Sequence, residues 1–293
     1  MAATDCMVTF QGEGLSDQFL SEDDIKQMCS FAFCETPTNE KVSDKYVMMT
    51  SMDVVRDLAK LGWYPVRAAQ RKAQKNRSGA SRFSFHQIWF QNPNVYITRD
   101  TGDGEVVDCY PRVILINSAD GCNSLRFGVG LYRVICSNGL VCSSQNLAEF
   151  SVRHIHYSFE YVKELIQRVM MELPNQVAEM NRMREITLSE SQRMDFAKRV
   201  WSLRTNVPVE EIKEDDETFL DMLDPVREED KGTSLWDTYN VLQEKVVKGG
   251  FFSAKKEDTK KPRKVRQIKS FVAETELSRK VDELARQYLE IAA

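Results

Sequence analysis

The sequence predicts an α+β fold: an antiparallel β-meander covered by a long helix, followed by a helical C-terminal part. Three observations carry this. PRVILINS, SLRFGVGLYRVICS and LVCSS follow one another as extended apolar runs, separated only by the turn signals ADG and NG. After Ser158 the period changes. Phe159, Val162, Leu165, Ile166, Val169, Met170 and Leu173 recur at three- and four-residue spacing, the mark of an amphipathic helix able to cover one sheet face. Beyond that point the apolar spacing stays helical to the end of the chain.

Taken in order, residues 1–43 are polar and irregular and read as a leader that docks on the fold through the short amphipathic piece SEDDIKQMCSFAF. YVMMT reads as a strand. SMDVVRDLAKLG reads as a helix, with Ser51 or Asp53 near its N-cap, Val54, Val55, Leu58 and Leu61 apolar, and Gly62 as its stop. WYPVRAAQ is extended, RKAQKNRSGASR an exposed loop, and FSFHQIWFQ a strand. After the meander, SVRHIHYS reads as a further strand. Pro174 is expected to kink or break the long helix, with NQVAEMNRMR continuing it. TLSESQRMDFAKRVWSLR opens with a capping box from Thr187 to Glu190. Residues 210–230 carry eleven acids against two bases and read as a solvated hinge. SLWDTYNVLQEKVVKGG is a helix with Leu235, Tyr239, Leu242 and Val246 on one face and Gly249-Gly250 ending it. FFSAKKEDTKKPRKVRQIKS reads as mobile and basic, and AETELSRKVDELARQYLE as the last helix. The domain reading is therefore a leader over 1–43, an α+β core over 44–205, an acidic linker over 206–233, and C-terminal helices over 234–293 with a mobile basic segment at 251–270.

Composition narrows the function classes. The formal net charge of -4 gives no global basic signature, so contact with a polyanion must come from local patches. No apolar run is long enough for a membrane span, and MAATDCMVTF lacks the basic start and apolar core of a signal peptide. Seven cysteines without regular spacing fit a reducing cytosol.

The cysteines nearest the Asn138-Gly139 turn resemble a metal or redox pair only until register is considered. A two-residue turn there pairs Ser137 with Leu140, Cys136 with Val141 and Ile135 with Cys142. Cys136 and Cys142 then face opposite sides of the sheet, so they neither form a disulfide nor share a metal. Cys122 with His154 and His156 makes a weak zinc set, and packing is the simpler reading. FGVG has no lysine or helix start to make a phosphate loop, and INSADG offers only Asp120 as a carboxylate. No nucleophile–base pattern is visible. The expectation is a protein without catalysis, metal or cofactor.

Two basic segments remain. Between Trp63 and Phe90 there is no acid, while Arg67, Arg71, Lys72, Lys75, Arg77 and Arg82 are flanked by Trp63, Tyr64, Phe83, Phe85 and Trp89. Cations that track phosphates beside rings that stack bases are what single-strand binding requires. Residues 255–269 carry eight bases and two acids; Lys260, Lys261, Arg263, Lys264 and Arg266 form a candidate phosphate-neutralising arm. For both segments the alternative is a solvated loop or linker.

YVMMTSMDVVRDLAKLGWYPVRAAQ, FSFHQIWF, YPRVILINSADGCNSLRFGVGLYRVICSNGLV, SLWDTYNVLQEKVVKGG and RKVRQIK together resemble the phage- and plasmid-associated family called domain of unknown function 932. The resemblance runs from about Lys45 to the last helix. Its strongest piece is LINS-x-DG leading into GLYRVICSNGLV, where Ala119 stands in place of the family's usual histidine; the histidine often found after the Asn-Gly strand corresponds to His154 or His156. The resemblance implies a mobile-element origin and a bacterial cytoplasm, and supplies no reaction. A meander followed by a long helix also resembles the core of single-strand annealing proteins, by analogy of fold alone. The expectation is a phage or mobile-element DNA-binding protein, acting on single strands in annealing, recombination or replication. Its expected partners are single-stranded DNA and other copies of itself, with no membrane. The alternatives are a module directed at a host protein, as a defence inhibitor, and a metal-dependent enzyme using Asp120, His154 or His156.

Overall fold

The computed structural model describes residues 6–10, 19–38, 48–70, 84–120, 124–133, 139–141, 150–152, 158–212, 216–253 and 263–291. In chain order the elements begin with β1 (Cys6–Phe10), α1 (Glu22–Met28), α2 (Ser51–Lys60), β2 (Tyr64–Gln70), β3 (Phe85–Gln91) and β4 (Val95–Asp100). β5 (Glu105–Ser118), β6 (Leu125–Arg133), β7 (Gly139–Val141), β8 (Phe150–Val152) and α3 (Phe159–Glu185) follow. The chain closes with α4 (Glu190–Thr205), α5 (Asp216–Leu223), α6 (Leu235–Lys248), β9 (Phe252–Ser253), β10 (Arg263–Lys264) and α7 (Phe271–Ile291). The α+β class read from the sequence holds. Described residues within 7–135 and 144–176 form an α+β unit, and those from Val177 onward form a helical unit together with β7. The division falls inside α3.

The α+β unit is organised around β5. One edge of β5 pairs antiparallel with β4 over Glu105–Cys109 and with β3 over Arg112–Ser118, so β3 and β4 lie end to end along it. The other edge pairs with β6 over Cys109–Ile116, while β2 extends the sheet beyond β3 and β8 extends it beyond β6. Pro111 sits in the short interval, Tyr110–Pro111, that neither β3 nor β4 pairs, a position where a central strand tolerates a residue without an N–H. Alternation then sorts the faces. Ile88, Phe90, Val113, Leu115, Leu125, Phe127 and Val129 join one buried cluster with Val54 and Leu58 of α2 and Val162, Leu165 and Val169 of α3. Ile25, Cys29 and Ala32 belong to the same cluster, and Ser21 and Asp24 close a capping box on α1.

α2 begins one residue earlier than expected. Thr50 is its N-cap, accepting from the Asp53 N–H at 3.1 Å, and Ser51 is its first residue. It ends at Gly62 (φ +80°), where Gly62 N–H bonds Ala59 and Trp63 N–H bonds Leu58, a Schellman closure that needs the left-handed glycine. Met48–Thr50, read as part of a strand, is not extended pairing structure. α3 runs unbroken through Pro174, which is exposed, the side on which a lost helix bond costs least. The capping box of α4 is Ser189 with Gln192, two residues later than read.

In the helical unit α6 is central: twelve of its residues are buried, from Leu235 to Val247. Several of its buried polar groups find partners in place, while Thr238 Oγ1 and Asn240 Oδ1 have none among the described residues. Tyr239 donates to Asp282 at 3.2 Å, Gln243 donates to Ser278 at 3.0 Å, and Asn240 donates to the Trp236 carbonyl at 2.7 Å. The 206–233 stretch is not a linker. It contains α5, whose Phe219, Met222 and Leu223 are buried, and Asp230, buried and paired with Arg227. Charge dominated its composition, but three apolar residues at helical spacing were enough to dock it. Among the described residues no helix is long and apolar enough to cross a membrane.

A polar knot sits inside the α+β core. His86 on β3 and Asn117 on β5 are register partners, and Ser51 reaches them from α2. The Ser84 carbonyl accepts from Nδ1 of His86 at 2.7 Å, which fixes the proton on Nδ1 and leaves Nε2 bare. Ser51 Oγ–H therefore donates to Nε2 at 2.7 Å, while Asn117 Nδ2 donates to Ser51 Oγ at 2.9 Å. Burial pulls the imidazole down to about 4, against opposing contributions from the Ser84 bond and the Asp120 charge. The unfolded chain takes up this proton below about pH 6.5, the folded chain only near 4, so stability falls as pH drops through that window. The full effect is on the order of 3 kcal/mol. Urea melts from pH 7 to 4.5 should show this loss, and His86→Gln should flatten the slope; an unchanged slope in the variant would rule out the assignment. Ser51→Ala, which strands two buried groups, should cost about 1–3 kcal/mol at pH 7.

Candidate nucleic-acid interface

The basic segment after α6 is built by backbone hydrogen bonds before its charges matter. Gly249 caps α6 with φ +70°, its N–H bonding Lys245 O at 2.8 Å. Gly250 N–H then bonds Val265 O at 2.9 Å, Val265 N–H bonds Phe251 O at 2.8 Å, and Ile268 N–H bonds Val247 O at 2.9 Å. β9 and β10 pair as Phe252 with Lys264 and Ser253 with Arg263. Phe251 is fully buried, edge-on to Trp201 at 5.5 Å, and Ile268 is buried too. Arg204 donates to the Arg266 carbonyl at 2.9 Å, and burial lowers its pKa. So the part of 251–270 spanning Arg263–Ile268, read as mobile because of its charge, is a pinned ribbon; residues 254–262 lie outside the described ones.

The ribbon and the end of α6 enclose a cleft of about 910 Å³ lined by Lys248, Gly250, Lys264, Val265, Arg266, Gln267 and Lys269. Lys264, Arg266 and Lys269 are exposed. Lys248 donates to Glu244 at 2.8 Å, and Arg227 grips the same carboxylate. Burial alone would raise the Glu244 carboxyl; the Arg227 and Lys248 bonds more than offset this and hold it below its ordinary value. Phe252, 48% exposed, stands opposite Lys264 in the ladder and so on the same face of the ribbon. A carboxylate of α5, Asp221, accepts from the Phe252 N–H at 3.0 Å.

Of the residues read from sequence, Lys264 and Arg266 line this cleft, and Arg263 lies in β10 beside it. Lys260 and Lys261 lie outside the described residues, as do Arg71, Lys72, Lys75, Arg77 and Arg82. Arg67 is exposed on β2, its guanidinium 4.7 Å from the Trp89 ring. Trp63 is 1% exposed and part of the core, so it is no stacking platform: aromatic composition beside a basic run says nothing about which face a ring occupies. Lys269, the end of the basic stretch 255–269, also lines the cleft; Lys248 and Phe252 were missed, because Lys248 comes from the preceding helix and only the ribbon's register places Phe252 opposite Lys264.

Catalytic alternatives gain nothing. Among the described residues no His, Cys, Asp and Glu cluster has the makings of a metal site. Cys122, Cys136, Cys142, His154 and His156 lie outside the described residues, as does the Asn138 turn. Burial pushes the Cys29 thiol up to about 12 and raises Cys34, the opposite of an activated thiolate. Ser51 and His86 have the bond of a nucleophile–base pair, but Ser51 is 1% exposed. Ala119 is fully buried, its carbonyl accepting from Thr38 N–H at 2.8 Å.

The family model for Domain of unknown function (DUF932) matches residues 39–272. The chain belongs to this family. The matched residues take in α2, β2–β6, α3–α6 and the cleft, so the DUF932 region comprises both the sheet and the basic ribbon. The chain is also 24% identical to UPF0380 protein YafZ of Escherichia coli (strain K12) over 234 residues, 80% of this chain and 79% of that protein. It is 24% identical to UPF0380 protein YfjQ of the same strain over 235 residues, again 80% and 79%. No solved structure matches.

The cleft depends on Gly249. A Cβ there would lie 2.5 Å from Val265 O, and φ +70° disfavours any side chain. Gly249→Ala should lower stability by roughly 1–3 kcal/mol and increase hydrogen exchange at Gly250 and Val265. Unaltered protection of those two amides would contradict the pinned ribbon.

Proposed function

We propose that this DUF932 protein binds single-stranded nucleic acid, DNA in the first instance, through the cleft of the helical unit. One observation carries the reading: three exposed cations, Lys264, Arg266 and Lys269, line a cleft with no carboxylate among its lining residues, and Lys248, paired with Glu244 at 2.8 Å, lies beside them. Like charges gathered on a rigid backbone repel one another, and a phosphate chain relieves that repulsion while releasing its counterions. At about 910 Å³ the cleft is of the size that holds a small ligand, which suits a few nucleotides of one strand and not a duplex. Phe252 supplies an exposed ring beside Lys264 on which a base can stack, and Gln267 a neutral hydrogen-bonding group.

Holding a strand by its phosphates leaves its pairing edges free, which is the requirement for annealing. No cofactor or covalent step is needed. In its finer form the proposal is annealing during recombination or replication of phage or plasmid DNA in the bacterial cytoplasm, by several copies along a strand.

The test is fluorescence anisotropy with labelled oligo-dT and the matching duplex over a salt series. Oligo-dT should bind more tightly than duplex, with log affinity falling linearly in log salt. Lys264→Ala and Arg266→Ala should each reduce the slope by about 0.7. Phe252→Ala should weaken binding by about 1–3 kcal/mol without changing the slope. Absence of binding at low salt, or affinity indifferent to salt, would reject the proposal.

A further inference from the structure

The sheet face opposite the core carries a second, separate gathering of charge. Register puts Arg67, Trp89, Gln91, Arg112 and Tyr132 on that face: Arg67 partners Trp89, Arg112 partners Gln91, and Arg112 also partners Gly130, two residues from Tyr132. The Arg112 guanidinium lies 3.5 Å from the centre of the Tyr132 ring. Its Nε and Nη2 both donate to one neutral acceptor, Gln91 Oε1, at 3.1 and 3.0 Å. Among the described residues no carboxylate pairs with it.

An arginine that is half-buried on a sheet ordinarily has a carboxylate for company, because ring and amide contacts orient the ion without neutralising it. Burial brings Arg112 down to about 10, the Tyr132 hydroxyl opposes this, and Arg67 deepens it. The Tyr132 ring occupies a guanidinium face and Gln91 the Nε–Nη2 edge, which leaves the Nη1 side as the group that recognises a ligand. A phosphate supplies what this arrangement lacks: an anion with several acceptor oxygens, matched to the planar edge of arginine.

We infer that Arg112, half-buried on the sheet face opposite the core, with the exposed Arg67 on the same face, forms a phosphate-binding site, Gln91 and Tyr132 holding the guanidinium in position. The ligand class is a phosphate group, free or in a nucleic-acid backbone. Only the second source rests on the nucleic-acid reading above; the site itself does not. Arg67 was legible in the sequence as a candidate cation, whereas Arg112 was hidden inside an apolar strand.

The experiment uses the full chain carrying K264A and R266A, which disables the cleft. Thermal midpoints are measured with inorganic phosphate against chloride at matched ionic strength, and the Arg112 Nε–H signal is followed by NMR. Phosphate should raise the midpoint and shift that signal. Adding Arg112→Met should abolish the phosphate-dependent rise, read as the difference between phosphate and chloride in the same variant. Removing the charge and stranding Gln91 Oε1 act in opposite directions on the ligand-free midpoint. Arg112→Lys should keep a smaller rise. An Arg112 shift with oligo-dT as well assigns the site to a strand; a shift with free phosphate alone supports the site while separating it from the nucleic-acid reading. No phosphate-specific rise and no Arg112 shift, or a rise that survives Arg112→Met, would overturn the inference. A variant that fails to fold leaves the NMR titration to decide.

Discussion

Two-sided pairing along β5 is the constraint on which the α+β unit depends. Its fourteen residues meet β4 and β3 on one edge and β6 on the other, so its register fixes three neighbours at once. That register sends Val113 and Leu115 toward the helices and Arg112 to the opposite face. A slip of one residue would drive a guanidinium into the apolar cluster, a cost of several kcal/mol and so a large share of the about 5–15 kcal/mol by which domains are stable. Asn117, near the end of the same strand, closes the constraint by donating to Ser51 Oγ while Nε2 of its register partner His86 accepts from the Ser51 hydroxyl. The helix is thereby tied to one position on the sheet as well as packed against it. Apolar contact alone is tolerant of sliding; hydrogen bonds between buried groups are not.

The helical unit solves a different problem. α6 is buried nearly all round, and Tyr239 and Gln243 are answered by Asp282 and Ser278 of α7. Its end carries Lys248, whose partner Glu244 is shared with Arg227, and the chain then turns on two glycines to lay a row of cations beside it. Backbone bonds hold the ribbon, not its charges, which leaves those charges available to a ligand. Carboxylates would make the same ribbon more stable and less useful. The same logic applies to Arg112, oriented by a ring and an amide.

Much of the fold was legible in the sequence because periodicity reports burial directly. α2, β3, the second half of β5, β6, α3, α6 and α7 all follow from spacing alone. What was missed had a physical reason in each case. β4 and the first half of β5 form a hairpin across Thr101–Gly104, but EVVD is too short and too charged to announce a strand. α5 was hidden by acids on its exposed side, although Phe219, Met222 and Leu223 mark the buried one. The candidate site was half legible: Lys264 and Arg266 show in the charge pattern, while Lys248 and Arg112 join their neighbours only through tertiary pairing. Trp63 was misread because a ring beside a basic run has two faces of the sheet to choose from, and it took the core.

The central claim is that a nucleic-acid strand lies in the cleft between the end of α6 and the basic ribbon. The most direct measurement is ultraviolet cross-linking of an oligonucleotide carrying 5-bromodeoxyuridine, followed by peptide mapping of the adducts. The account places adducts on peptides containing Lys248–Phe252 and Lys264–Lys269. Adducts confined to other peptides, such as the acidic α5 segment, or no adducts at low salt, would contradict it.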